Sequence, residues 1–196
     1  MALTLREDLA YLKRIRIYIF MSVWLFFLAA VLGYFAAALD PEIAEGWMNE
    51  LQMLKWILDQ PPIIIMIIIF LKNLLACALA VLLGIGLGLV PLLVVSSNGF
   101  MLGVVSYSAV QKAGMLYLLA GTLPHGIIEL PTVLTGIGVG FRLGHLLALT
   151  ILGEKADLAG ETRIALHLLL RWFAPLLLLA AAIETFITPI ILSVVA

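Results

Sequence analysis

The side chains best able to do chemistry in this sequence are His125, Glu129, Glu184, Lys72 and Arg142, with the amides Asn73 and Asn98, and each lies within or beside a long apolar stretch. A charge at the centre of a bilayer costs about 2.5–3.5 kcal/mol on insertion scales, so such groups face protein or water and find partners. His125 and Glu129 are four apart and share one helix face. One reading of the pair is structural. Pro124 and Pro131 lack an N–H, which frees the carbonyls of Ala120 and Ile127, and nearby polar groups repair the ladder. The other reading is functional: a helix broken around a titratable pair at mid-membrane forms the ion or proton site of a transporter or channel.

His and Glu also suit a metal, but a zinc site needs at least three protein ligands. Glu184, His145 or a second subunit would have to supply the third. No metal or cofactor is assigned, and His125 and Glu129 are kept only as candidate ligands. Glu184 reads as the end of an apolar helix just before Thr188-Pro189, where an acid opposes the macrodipole and needs a base such as Lys72 or Arg142. Lys72 could equally pair with Glu129, or snorkel. Arg142, with His145 one turn on, reads as a headgroup anchor. Asn98-Gly99 reads as a helix start, with the Asn as cap.

Signs of catalysis are missing. There is no His-Glu-x-x-His and no Gly-x-Ser-x-Gly element, and the serines at 96, 97, 106 and 108 have no obvious base. The chain is therefore expected not to be an enzyme. An intramembrane metal-dependent enzyme ranks third, behind a scaffold and a transporter or channel.

The elements that must position these residues are helices in lipid. Of 196 residues, 64% are hydrophobic and only 12% charged, far below the roughly 25% charged residues of a soluble domain. The net charge of -1 argues against a nucleic-acid partner. The single cysteine, Cys77, excludes an intrachain disulfide. The apolar run 17–39 follows Arg6, Lys13, Arg14 and Arg16 and is long enough to span, unlike a signal peptide. The acidic, amphipathic stretch 40–60, with Trp47 and Trp56, is expected to be an external loop. By the positive-inside tendency, segment 1–16 is expected in the cytoplasm.

The run 63–95 exceeds one span. Gly84, Gly86, Gly88 and Pro91 mark a turn or kink, so a span from 63 to about 83 and a second helix to Gln111 are favoured over one long bent helix followed by a re-entrant one. Gln111-Lys112-Ala113-Gly114 is a polar break. Region 115–152 is expected to break near Pro124-His125-Gly126 and resume at Pro131. A polar loop covers 153–163, a helix starting at Arg163 carries His167, Arg171 and Trp172, and Thr188-Pro189 opens a short tail. Gly84/Gly88, Gly99/Gly103, Gly136/Gly140 and Gly140/Gly144 have the spacing that lets helices approach closely, within the bundle or across a homodimer.

An ordered set of segments carries a family resemblance: Asn98-Gly99-Phe100-Met101-Leu102-Gly103, then Leu123-Pro124-His125-Gly126-Ile127-Ile128-Glu129-Leu130-Pro131, Arg142-Leu143-Gly144, and Ala181-Ala182-Ile183-Glu184 before Thr188-Pro189. Together they resemble the stage II sporulation protein M family of integral membrane proteins. The resemblance implies a small multi-span protein which, in endospore formers, is the membrane component of a complex that remodels peptidoglycan during engulfment, with hydrolysis left to partner proteins. Many relatives occur in organisms that make no spores. The expectation is one all-α transmembrane domain, 1–196, of about five or six membrane segments in the cell membrane. It would act as a scaffold or assembly partner of other membrane proteins or of itself.

Overall fold

In hydrocarbon every backbone N–H must find a carbonyl within its own segment, so the apolar stretches have little choice but helix. A computed structural model describes residues 4–52 and 55–195, and these are helical with short connections and no strand among them. Residues 1–3 of the N-terminal segment, 53–54 of the expected external loop and residue 196 lie outside the described residues.

Helix α1 (Leu5–Arg14) is started by a capping box between Thr4 and Glu7 and carries basic residues in its last turn. A sharp joint at Ile15 (φ -93, ψ 8) leads into α2 (Arg16–Leu39). The expected loop 40–60 holds two helices, α3 (Pro41–Gln52) and the short α4 (Lys55–Leu58). Trp47 of α3 packs, together with Ile43, Phe100 and Tyr107, against Ala37 and Val104, covering that end of the bundle.

Helix α5 (Pro62–Leu82) ends in a 3-10 turn, Leu83–Ile85. Leu87 (φ 56) and Gly88 (φ 77), both left-handed, then reverse the chain. The favoured two-span reading of 63–95 therefore holds. Helix α6 (Leu89–Ile151) is folded in two at Gly114 (φ 85, ψ 172), a conformation essentially reserved for glycine. Its arms, 89–113 and 115–151, run antiparallel: a side chain on Gly140 would strike Pro91, and one on Gly144 would strike Gly88.

The last helix begins at Leu158, where the Asp157 carboxylate caps the Gly160 N–H at 2.8 Å. It starts earlier than the expected Arg163 because that cap lies within the stretch read as loop. It continues through α7 (Leu158–Leu168), a π segment Leu169–Phe173, α8 (Ala174–Ala182), a second π segment Ile183–Ile187 and α9 (Thr188–Val195). No separate tail forms at Thr188-Pro189. Each π turn stands just before a proline, Pro175 or Pro189, where the wider turn absorbs the missing N–H.

Among the described residues four helices are long and apolar enough to cross a membrane, and one of them is α6. Since α6 doubles back, the described chain makes five passes. The expected break at Pro124 does not occur, and α6 stays helical through Pro124 and Pro131. Unwinding there would orphan more carbonyls than the two that the prolines free. The hydroxyls of Thr122, Thr132 and Thr135 cap nearby carbonyls at 2.6–2.7 Å. Asn98 likewise caps no helix. It lies well inside the first arm and donates to the Val94 carbonyl at 2.8 Å, because the left-handed Gly88 had already started the helix at Leu89.

Glycines bring the passes together. A Cβ on Gly84 would collide with Gly140 backbone, on Gly99 with Phe26 backbone, on Gly103 with Ala30 and Tyr34 backbone, and on Gly136 with the Cys77 sulfur. Gly33 and Gly138 are as tightly placed, against Phe100 and Ile19. Around them lie two cores. One joins α1, α5, the second arm and the last helix through Tyr11, Val81, Leu143 and Leu168. The other joins α2, α5 and both arms through Phe26, Ala80, Val95 and Ile137.

Two glycine substitutions separate space from conformation. Gly103→Val should cost about 1–3 kcal/mol or more by overpacking against α2. Gly114→Ala should cost about 1–3 kcal/mol by backbone strain, although nothing lies within 4 Å of its added methyl. Gly46→Ala, in α3 with open space around it, should be neutral or stabilising by up to about 1 kcal/mol. Thermal unfolding in detergent measures all three, and a Gly103→Val protein as stable as wild type would contradict the packing described.

Candidate functional site

Four passes, α2, α5 and the two arms of α6, converge on a cavity of about 190 Å³. Helix α5 supplies Lys72 and Asn73 from about halfway along its length, the first arm supplies Asn98, and the second arm supplies His125 and Glu129. The remaining wall is apolar, including Phe26, Leu130 and Val133. Glu184 arrives from the last helix. Its ligand atom and those of His125 and Glu129 all lie within 4.8 Å of one another.

Local structure explains why these groups meet. His125 and Glu129 project from one face because the arm remains helical through Pro124. Glu184 does not close a helix, as its position before Thr188-Pro189 had suggested; it sits inside the second π segment. No macrodipole terminus opposes it there.

Asn73 is 6% exposed and lies with Lys72 beside the Glu129 carboxylate, while Glu184 is near enough to repel that carboxylate. Lys72 itself is exposed at the rim. The Thr188 hydroxyl is 3.3 Å from the Ile183 carbonyl, to which it donates, and 3.5 Å from Nδ1 of His125. The arrangement offers two carboxylates and an imidazole around a common point, with amides and one ammonium at the margin.

Arg142 is absent from this site. It lies on the same arm more than three turns beyond Glu129, roughly 20 Å along the axis at a rise of about 1.5 Å per residue. There it belongs to a second polar cluster at the end of the bundle that holds α1. The Arg142 Nη2 is 3.5 Å from the Glu161 Oε1, and Arg14 donates to the same oxygen at 2.8 Å. Arg142 also reaches Tyr18, whose hydroxyl is hydrogen-bonded to Nδ1 of His145. It is a tertiary clasp rather than a lone headgroup anchor, and His145 stays far from the His125 site.

Deeper in this cluster Asp8, 2% exposed, accepts from the Trp172 Nε1 at 2.9 Å and faces His167 at 3.5 Å and Arg171 at 3.7 Å. Because Arg14 meets Glu161 and Asp8 meets Trp172, α1 runs antiparallel to the first part of the last helix. Burial foremost, and the Glu161 carboxylate next, push the Tyr11 hydroxyl well above the usual tyrosine range, so it stays protonated. Reading the sequence missed Asp8, Glu161 and Tyr18. The capping box Thr4-Leu5-Arg6-Glu7 was the one local signal that a helix, and hence a placed Asp8, begins there.

The five passes and the mid-depth polar cavity define the class, a polytopic helical membrane protein with a half-buried polar site between its helices. Within that class, residues 22–189 match the family model of stage II sporulation protein M, and the chain belongs to that family. The match begins within α2, earlier than the motifs suggested. No curated protein and no solved structure matches the chain.

The clasp makes an unequal prediction. Glu161→Gln removes a buried carboxylate from between two guanidinium groups and should lower stability by about 1.5–3 kcal/mol. Arg14→Gln should cost about 1 kcal/mol or less, because the Arg14 side chain is 55% exposed. Thermal melts of the two variants in the same detergent compare them, and equal losses would mean that burial does not govern the pair.

Proposed function

We propose that this protein is a non-enzymatic scaffold, an assembly partner for other proteins of the cell membrane. The observation that carries the reading is the contrast between a core interlocked backbone to backbone and an outer face that is broad and apolar. Phe20, Trp24, Phe27, Phe35 and Leu39 of α2 are all exposed, as are Leu71 and Leu75 of α5. A bundle of this kind is built to hold a shape and to present faces to neighbours within lipid, where close packing rather than the hydrophobic effect drives association. The connections are too short to hold a soluble catalytic domain, 152–157 between the last two long helices being an example. Serine hydroxyls with defined partners donate to carbonyls, as Ser22 does to Leu134 and Ser97 to Leu93, which supports a packing role for them.

The N-terminus is placed in the cytoplasm in this reading. The end that holds α1 gathers Arg6, Lys13, Arg14, Arg16, Arg142, Lys155, Arg163 and Arg171, eight of the eleven basic residues. The opposite end carries Asp40, Glu42, Glu45, Glu50 and Asp59. This asymmetry is the positive-inside pattern.

The polar cavity favours a second reading, an ion or proton transporter in which His125, Glu129 and Glu184 line the path. A flux measurement separates the two. A scaffold reconstituted into proteoliposomes should pass protons and small ions no faster than empty vesicles, for wild type and for folded Glu129→Gln alike. Flux in wild type that the folded variant abolishes would replace the scaffold with the transporter.

A further inference from the structure

We propose that His125, Glu129 and Glu184 bind one divalent transition-metal cation of the zinc class, with the fourth position open to the cavity. The inference is independent of whether the chain scaffolds or transports, since it concerns what the site holds.

Geometry is the first support. The ligand atoms lie within 4.8 Å of one another. A tetrahedral ion with bonds of about 2.0–2.1 Å sets its ligands roughly 3.3–3.4 Å apart. The widest pair must therefore close by roughly 1.5 Å to reach that spacing, which rotation of a glutamate side chain achieves without moving backbone. The two helices involved are held by other contacts: Gly136 of the second arm approaches Phe173 of the last helix, and Gly121 approaches Leu192. The ion would thus enter a frame already set.

The second support is the outer contact on the histidine. Thr188, 5% exposed, places its hydroxyl 3.5 Å from Nδ1 of His125. With the imidazole proton on Nδ1 that contact would hold the ring and leave the Nε2 lone pair for a metal, the arrangement by which outer partners orient ligating histidines. Nothing about a simple Glu–Lys pair needs this.

Charge and ligand type select the ion. Two carboxylates and a neutral imidazole around a divalent cation make a neutral complex, the form an apolar surrounding tolerates. Calcium and magnesium want about six or more oxygens, whereas an imidazole with two carboxylates suits zinc and its neighbours. Lys72 is the local opponent, since its ammonium lies beside Glu129. It sits at the exposed rim with a long flexible stem, so it can turn away when the ion binds.

The test uses full-length protein in detergent, stripped with chelator and equilibrated with zinc, with bound metal counted after removal of free ion. Wild type should retain one zinc per chain. Glu184→Gln, which removes a ligand, should lose affinity by about tenfold or more, and Thr188→Val, which keeps all three ligands and nearly the same volume, should lose about tenfold, within the range for outer-contact variants. Lys72→Met, which removes the competing charge, should bind several-fold more tightly. Cobalt substituted for zinc should give the visible bands of a four-coordinate site in wild type. Wild type that retains no zinc would overturn the proposal, as would retention unchanged in Glu184→Gln. Should Glu184→Gln fail to fold, unchanged affinity in Thr188→Val would overturn it.

Discussion

Everything in this molecule depends on helices touching backbone to backbone. Lipid is as apolar as leucine, so side-chain burial gives no advantage to a helix that leaves lipid for a neighbour; close van der Waals contact does. The glycines provide it where α2 meets the first arm, at Gly33, Gly99 and Gly103, and where α5 meets the second arm, at Gly84, Gly136 and Gly140. These seams bring α5 and both arms of α6 near enough to enclose a cavity, and they hold the second arm where His125 and Glu129 can face a residue from another pass. Polar groups follow from this frame. They could not create it, because a lone carboxylate in hydrocarbon only adds cost.

The two polar clusters differ in kind. At the α1 end, acids meet bases: Arg14 donates to Glu161 with Arg142 beside it, and Trp172 donates to Asp8 with His167 and Arg171 near. Those pairs complement one another and, with the apolar face of Leu12 and Tyr11, fasten a short helix to the bundle. At mid-depth the balance is reversed, with two carboxylates and an imidazole around one ammonium at the rim. One cluster pairs acids with bases, whereas the other sets two carboxyl groups and an imidazole around a common point.

Reading the sequence went furthest where structure is decided locally. Length and hydropathy gave the passes, glycine spacing gave the seams, and the polar break at Gly114 gave the hairpin, since reversing a helix on one residue needs that conformation. It went wrong where neighbours decide. Pro124 and Pro131 look like helix ends in isolation, but the arm stays wound through both where it packs against its neighbours. Asn98 looks like a cap until Gly88 is seen to start the helix. Glu184 was one of the residues named as a third ligand, but its approach could not be known without the π segment that turns it. Arg142 and Glu161 are nineteen positions apart, and Arg14 and Glu161 are 147 apart; no spacing rule reaches across such gaps. The family resemblance located the right segments without saying which of them touch.

The last helix carries one further meaning. A π turn is in effect an α-helix with one residue too many, and each such insertion rotates everything beyond it by about 100°. This helix contains two, one bearing Arg171 and Trp172, the other Glu184. A chain one residue shorter at the second place would keep every helix and every charge, yet turn the carboxylate of Glu184 away from the cavity. In this chain the length of that helix, counted to the single residue, is then as informative about the site as the identity of the residues that form it.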